Sequence, residues 1–228
     1  SGSVGRLLMA SVLTMILILA SFTLLEPTVS RSAVDQFLVT QSITEEISFI
    51  ASTTDVSMEG SINGLTGGYA SGTTYAVVRT NDPDGYSMTL GFSSTTAMVA
   101  NNYASNQGYV NNYSMTATTV PDYEWTSDGT AAEFGYTVNA SNTADIASYF
   151  KDNGTNCNQS SGGYTANRCW MSPTTTAAAD TIVNRTSAAS SGATTSIYFK
   201  IEVPSNPTPG LPSDTYTATA TLTATNNP

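Results

Sequence analysis

The chain has 228 residues, of which 11% are charged, and its formal net charge is −10. Its 7 Lys and Arg residues are scattered, which excludes the basic surface that nucleic-acid binding requires. Histidine is absent, which removes the most common general base and the preferred imidazole metal ligand. We therefore expect no enzyme and no bound cofactor or metal, although 40% apolar residues are enough for a folded core.

The first predicted element is an apolar helix. Leu7 to Leu25 form a run of 19 residues without a charge. A helix of that length spans about 28 Å, close to the hydrocarbon core of a bilayer. Arg6 precedes the run, on the side expected to stay cytoplasmic, and Pro27 ends or kinks the helix.

Three interpretations of this segment compete. It is a cleavable secretory signal with a processing site near residues 30–33, a retained membrane anchor, or a helix that leaves the membrane for the core of a filament. The run exceeds the roughly 7–15 apolar residues of a signal peptide, which favours retention of residues 1–35. The side chains expected to pack between subunits are Leu7, Leu8, Val12, Leu13, Ile16, Leu17, Leu19 and Phe22.

Residues 36–228 are predicted to form a β-sandwich head, because short alternating strands separated by Gly and Pro turns are typical of that fold. Alternation from Phe37 to Phe49 predicts a first long strand with one buried face. The other predicted strands are Thr73–Thr80, Tyr86–Phe92, Phe134–Val138, Ser196–Val203 and Thr215–Thr223. Thr143–Phe150 is predicted as a short helical turn and Thr174–Gly192 as a surface loop.

Asn81–Gly85 separates two of these strands. Its Pro fixes φ and its Gly permits positive φ, so the segment predicts a hairpin turn. Its acidic residues also suggest a calcium loop, but the twelve-residue pattern of such a loop is missing.

The chain has 2 cysteines, Cys157 and Cys169. For an exported chain they predict a disulfide, which would contribute about 3 kcal/mol by closing a short loop. The alternative, a metal site, lacks other soft or imidazole ligands nearby. Trp170 is predicted as a packing anchor, with sugar binding as the alternative.

Asn-x-Ser/Thr sequons mark possible glycosylation sites in an exported protein. They are Asn112, Asn139, Asn153, Asn158 and Asn184. An Asn-, Ser- and Thr-rich chain also produces such triplets by chance.

An Asn-rich region carries several aromatic residues, which suits either carbohydrate binding or packing on the sandwich or a neighbouring subunit. These residues are Tyr103, Tyr109, Tyr113, Tyr123 and Trp125. The nearby carboxylates Asp122, Glu124, Asp128 and Glu133 show no spacing that favours a hydrolase pair over an acidic loop.

Six motifs of the head carry a resemblance to known proteins. They are Phe37–Thr44, Thr80–Tyr86, Glu133–Tyr136, Phe150–Gly154, the Cys157 to Trp170 loop and Thr215–Ala220. From about residue 34 onward the chain resembles a family of secreted β-sandwich proteins of candidate-phyla (Patescibacteria-type) bacteria. The resemblance implies an extracellular compartment and a β-sandwich, and no particular activity.

The layout of apolar helix and β-rich head resembles type IV pilins and their archaeal relatives. No acid precedes Glu26, whereas bacterial pilins usually carry a Glu early in the helix and archaeal pilins lack it more often. The resemblance implies a structural subunit that polymerises with its own copies through the helix. It also implies residence in the cytoplasmic membrane before assembly and a pilus-type export machinery.

Our leading hypothesis is therefore a subunit of an extracellular, cell-surface filament. The alternatives are a monomeric membrane-anchored adhesin and a carbohydrate-binding ectodomain. A second mode of assembly is also open, in which Thr215–Pro228 adds as a strand to an open sheet edge of a neighbouring head.

Overall fold

The computed structural model describes residues 2–24, 36–104 and 107–228. The chain divides into two compact units, Ser1–Ile43 and Thr44–Pro228. The sequence predicts a division after residue 35, and the strands of the described residues all lie in the second unit. Helix α1 (Gly2–Leu24) forms most of the first unit. Residues 25–35, which include the predicted end of the apolar run and the possible processing site, lie outside the described part.

The head is mainly β, as predicted. Within the described residues it has eleven strands: β1 (Ile47–Ala51), β2 (Glu59–Asn63), β3 (Gly67–Thr80), β4 (Tyr86–Phe92), β5 (Met98–Ala100), β6 (Tyr109–Asn112), β7 (Glu133–Ala140), β8 (Asp180–Arg185), β9 (Ala193–Val203), β10 (Tyr216–Ala218) and β11 (Ala220–Asn226). Single 3-10 turns occur at Thr143–Asp145, Ser148–Phe150 and Thr176–Ala178. The first two confirm the predicted helical turn.

The strands form two sheets in a sandwich-like arrangement. The large sheet has the order β1-β3-β9-β7-β6-β5-β10, with β2 also paired to β3. The small sheet has the order β11-β4-β8. The pair β6–β7 is parallel, whereas β3–β9 and β7–β9, which form the centre of the large sheet, are antiparallel.

The core lies between the sheets. Tyr86, Met88, Leu90 and Phe92 of β4 are each at most 1% exposed, which confirms the predicted inward face. The Phe92 ring meets the Phe134 ring of β7 edge to face, with centroids 5.9 Å apart. Each such side chain contributes about 1.5–3 kcal/mol when it leaves water, so this contact between the sheets holds them together.

Strand β9 supplies the opposite wall of the core. Ile197, Phe199, Ile201 and Val203 are buried and alternate with more exposed residues, as predicted. The Phe199 ring stacks on Phe134 with centroids 5.9 Å apart. A strand with this period of two presents one face to the core.

The turn Asn81–Gly85 is confirmed, but the predicted hairpin is wrong. Strands β3 and β4 belong to different sheets, so the turn carries the chain from one layer to the other. Gly85 has φ +81°, and a Cβ there would lie 2.1 Å from the carbonyl oxygen of Arg185. Asp82 accepts a hydrogen bond from the Asp84 amide at 2.8 Å, which stabilises the turn.

The predicted long strand from Phe37 to Phe49 is wrong over most of its length. Only its end, from Ile47 onward, forms β1, because residues 36–46 have no ladder partner in the described part of the chain. The Asn81 side chain instead holds Thr44 and Glu46 by single hydrogen bonds of 3.1 and 2.7 Å. An alternating pattern gives a strand only where another strand pairs with it.

Two other predictions required correction. Thr174–Gly192 is not wholly a surface loop, because it contains β8, whose Ile182 and Val183 are fully buried. The predicted strand Thr215–Thr223 is divided at Thr219 into β10 of the large sheet and β11 of the small sheet. The end of the chain therefore connects the two layers, which a sequence pattern of one continuous strand does not reveal.

Candidate functional site

Helix α1 is apolar on all sides. Its large apolar side chains are 53% to 79% exposed, among them seven of the residues predicted to pack between subunits: Leu7, Leu8, Val12, Leu13, Ile16, Leu17 and Leu19. The side chain of the eighth, Phe22, lies outside the described part of the chain. A helix without a polar face is suited to lipid or to a bundle of helices, since water is unfavourable on every side.

The few hydroxyl groups of α1 bond to the helix itself. Ser11 donates to the Leu8 carbonyl at 2.9 Å, and Thr14 donates to the Ala10 carbonyl at 2.9 Å. Ser21 does the same with the Ile18 carbonyl at 2.8 Å. Because these hydroxyls need no water, they do not prevent transfer of the helix into an apolar environment.

Ser3–Ser21 is long and apolar enough to cross a membrane, and none of it is buried. By its length and composition, such a helix near the start of a chain is suited to act as a membrane anchor or as a secretion signal.

A second exposed apolar segment precedes the head. Phe37, Leu38, Val39 and Ile43 are 81% to 89% exposed, and residues 36–46 form neither helix nor strand. We call Phe37–Ile43 the free segment. Its seven residues contain no charge, no Gly and no Pro, and its composition favours extended structure.

A groove opens in the head along the large sheet, and its smaller part lies between the two sheets. It consists of two adjacent cavities of about 440 and 580 Å³, which share Met58, Met98 and Tyr216 in their linings. Residues from the stretches 53–65 and 211–222 contribute to its lining. The core side chains Leu90, Phe92, Phe134, Ile197 and Phe199 line the smaller cavity. We call this feature the intersheet groove.

The side of the groove formed by residues 53–58 is fixed to β3. Thr74 donates its hydroxyl to the Thr54 carbonyl and accepts from the Thr54 amide, both at 3.0 Å. These paired hydrogen bonds hold Thr54 against β3.

The aromatic residues of the Asn-rich region do not form one surface. Tyr113 is buried and stacks on Trp125, with centroids 4.2 Å apart. Trp125 meets Trp170 edge to face at 5.3 Å. The ammonium of Lys200 lies 4.6 Å from the centroid of Trp125. Tyr103, by contrast, is 45% exposed and belongs to no ring pair among the described residues.

This cluster matches the predicted packing role better than a sugar platform. Tyr113 donates its hydroxyl to Asp122 at 2.9 Å and accepts from the Thr126 amide at 3.0 Å. Burial raises the pKa of Tyr113 above its ordinary value. Trp170, which the sequence predicts as a packing anchor, is buried in the cluster. The contact of the Lys200 ammonium with Trp125 is not indicated by any pattern in the sequence.

The four carboxylates of this region hold the loop in place. Asp122 accepts a hydrogen bond from the Thr116 amide, and Asp128 accepts one from the Thr130 amide. Glu124 forms an ion pair with Arg168 at 3.2 Å. Glu133 accepts hydrogen bonds from the Ser114 and Asp128 amides. Burial raises the pKa of Glu133, and the charges of Asp128 and Glu202 add to this effect. In the described part of the chain, no three acidic or cysteine side chains gather where they could hold a metal ion.

The predicted disulfide is present between Cys157 and Cys169, and both residues are buried. It closes a loop that Asp152 stabilises from inside. The Asp152 carboxylate accepts from the Gly154 amide at 2.9 Å and from the Thr165 amide at 2.8 Å. The loop is thus a rigid part of the head.

The five sequons differ in exposure. Asn153, Asn158 and Asn184 are exposed, and Asn139 is half-buried. The amide nitrogen of Asn112 donates to the Thr95 and Pro173 carbonyls at 2.8 and 2.9 Å. A sugar on Asn112 would replace one of the two N–H hydrogens and so break at least one of these hydrogen bonds, whereas the exposed asparagines leave room for a sugar.

Comparison of the chain with protein-family models, with curated proteins and with solved structures gives no match.

Proposed function

We propose that this protein is the structural subunit of an extracellular cell-surface filament and that it polymerises through α1. The observation that carries the proposal is the apolar surface of Ser3–Ser21 of α1, which has no polar side and of which none is buried. Such a surface requires either lipid or other copies of the same helix around it.

The two environments would follow one another. Before assembly, α1 spans the cytoplasmic membrane, with Arg6 at the cytoplasmic end. After extraction by a pilus-type export machinery, α1 packs against α1 of neighbouring subunits. Burial stabilises such a bundle by about 25 cal/mol per Å² of apolar surface, so many exposed side chains on one helix give a strong association.

The head suits the outer wall of such a filament. Its surface is polar but carries few charges, since charged residues make up 11% of the chain. A wall of this kind depends little on ion pairs that salt would screen. The disulfide between Cys157 and Cys169 fits an oxidising compartment outside the cytoplasm.

Electron microscopy of material sheared from the cell surface, combined with intact mass on the same sample, tests the proposal. We expect regular filaments whose subunit retains residues 2–24. Absence of filaments, with the protein only in the membrane fraction or released without α1, would overturn the proposal and leave a monomeric anchored or secreted protein.

A substitution in the helix supplies a second test. We expect Leu17→Asp to abolish filaments, because a charge in a helix bundle without a partner is strongly unfavourable. The matched control is Leu17→Ile, which keeps the apolar volume and should leave filaments intact. Membrane fractionation of both variants shows whether the loss arises at insertion or at assembly.

A further inference from the structure

The intersheet groove is bordered by an open sheet edge. In the described part of the chain β11 has ladder hydrogen bonds only with β4. Its other edge carries unpaired backbone groups, although β1 of the large sheet lies close to it. Strand β11 has seven residues and no charge, Pro or Gly to protect that edge. Leu222 of β11 lines the groove beside this edge. Exposed edges of this kind bind additional strands.

The free segment has the properties of such an additional strand. It has seven residues, the same length as β11. Phe37, Val39 and Ile43 would share one face of an extended strand, and Leu38 would lie on the other face. Short, uncharged segments rich in β-branched and aromatic residues and lacking Pro pair readily with a sheet edge.

We propose that the free segment of one subunit adds to β11 of a neighbouring subunit and inserts its apolar face into the intersheet groove. This inference rests on the proposed function and names a second contact between subunits besides the α1 bundle. The occupant is a second copy of this chain, because the chain itself displays both a matching strand and an unpaired edge with an apolar groove.

The dimensions of the groove fit this occupant. A cavity of about 150 Å³ holds one benzene ring. The smaller cavity, of about 440 Å³, therefore accommodates side chains of the size of Phe37, Val39 and Ile43. Its polar side chains, among them Thr53 and Ser57, lie along the rim and suit Gln41 on the same face of the segment.

The proposal reverses the role that the sequence suggested for the end of the chain. Residues 215–228 were the candidate donor strand, but β10 pairs with β5 and β11 pairs with β4 of the same head. The C-terminal strands are thus held in place and provide the acceptor edge, and the unpaired free segment is the donor.

Cysteine cross-linking between different full-length subunits tests the contact. The two natural cysteines are joined to each other, so an introduced cysteine has no natural partner. Subunits with Leu222→Cys are mixed with subunits carrying Phe37→Cys, Val39→Cys or Ile43→Cys and allowed to assemble. Oxidation followed by non-reducing gel electrophoresis should show a covalent dimer for at least one of these mixtures. Leu38→Cys is the matched control on the opposite face and should give none.

The outcomes separate the two proposals. Filaments without any cross-linked dimer, or equal dimer from Leu38→Cys, would overturn the strand addition and leave the helix-based filament standing. Cross-linked dimers without filaments would support the strand addition and contradict the filament. Cross-linking only within one chain, in a subunit that carries both cysteines, would show that the segment binds its own head and would also overturn the proposal.

Discussion

The Trp125 ring stacks on the Tyr113 ring, with their centroids 4.2 Å apart and their planes at 24°. The ammonium of Lys200 on β9 lies against the same indole at 4.6 Å from its centroid. Stacked rings and a cation on an aromatic face each add about 0.5–1.5 kcal/mol beyond the burial of their area. The long irregular segment between β6 and β7 is thereby fixed to the central strands of the large sheet.

Tyr113→Phe tests the hydrogen bonds that support this stack. We expect a loss of about 1–2 kcal/mol in the free energy of unfolding, because the Thr126 amide and the Asp122 carboxylate both lose their hydroxyl partner. Urea unfolding measures the loss. Tyr103→Phe, at an exposed tyrosine, is the control and should change stability by less than about 0.5 kcal/mol. Equal effects of the two substitutions would contradict a structural role for the Tyr113 hydroxyl.

Removal of the disulfide is expected to cost more. Replacement of both Cys157 and Cys169 by Ala should reduce the free energy of unfolding by about 3 kcal/mol. This is the stabilisation expected from closing a loop of about this length, because the bond lowers the conformational entropy of the unfolded chain. Denaturant unfolding of the variant and of the wild type in reducing agent should give the same midpoint. A midpoint that does not change under reduction would show that the remaining contacts of the loop hold it without the bond.

Asp180 contributes to the pH dependence of stability. Its carboxylate accepts from the hydroxyls of Tyr136 at 2.9 Å and Thr174 at 2.6 Å. Burial nevertheless raises the pKa of Asp180 above its ordinary value. The folded state therefore takes up this proton more readily than the unfolded state. Stability is thus fully present below the ordinary pKa and decreases as the pH rises through the higher pKa of the folded state.

Asp180→Asn should remove the contribution of this group, since an amide oxygen can accept the same two hydroxyls without a charge. We expect the Tm of the variant to exceed that of the wild type most at neutral pH, with the difference shrinking toward about pH 4. The pKa of Asp214 is shifted in the opposite direction, because amide hydrogen bonds, first among them that of Asn102, hold it below the ordinary value. Asp214→Asn should cost stability at neutral pH and nothing at low pH. If the Tm of both variants changed with pH in parallel with that of the wild type, the opposite pKa shifts of Asp180 and Asp214 would be contradicted.

The sequence correctly predicts strands where a segment of alternating apolar and polar residues also pairs with another strand. Strand β4 shows its inward face in Tyr86, Met88, Leu90 and Phe92, and β9 does so equally, because both lie inside their sheets. Residues 37–46 show the same alternation and yet have no strand partner among the described residues. Periodicity reports which face of a strand is apolar, but pairing depends on segments distant in the sequence.

The remaining differences have the same physical origin. The terminal strand is divided at Thr219 because β10 pairs with β5 of the large sheet and β11 pairs with β4 of the small sheet. The contact of Lys200 with Trp125 likewise joins residues that are far apart in the chain. The composition of Thr174–Gly192 predicts a loop, because Ile182 and Val183 are too few to show the alternating pattern of a strand. The disulfide, by contrast, was predictable because the chain has only two cysteines.

The ion pair of Arg185 and Asp145 supplies the last prediction. Arg185 donates to the Asp145 carboxylate at 2.5 Å and to the Ala188 and Ser187 carbonyls at 2.9 and 2.8 Å. The two side chains are only 18% and 9% exposed. We expect Arg185→Met to cost about 3 kcal/mol in denaturant unfolding, because it leaves a buried carboxylate without its cation.

Asp145→Asn should cost less, about 1–2 kcal/mol, because the guanidinium keeps its two carbonyl partners and the Asn side chain still accepts a hydrogen bond. The exposed pair of Arg168 and Glu124 is the matched control, with side chains 37% and 66% exposed. Arg168→Met should therefore cost less than about 1 kcal/mol, and added salt should reduce the difference further. If Asp145→Asn proved as costly as Arg185→Met, the stability would come from the carboxylate's own hydrogen bonds, including that from Asn142, and not from the buried charge pair.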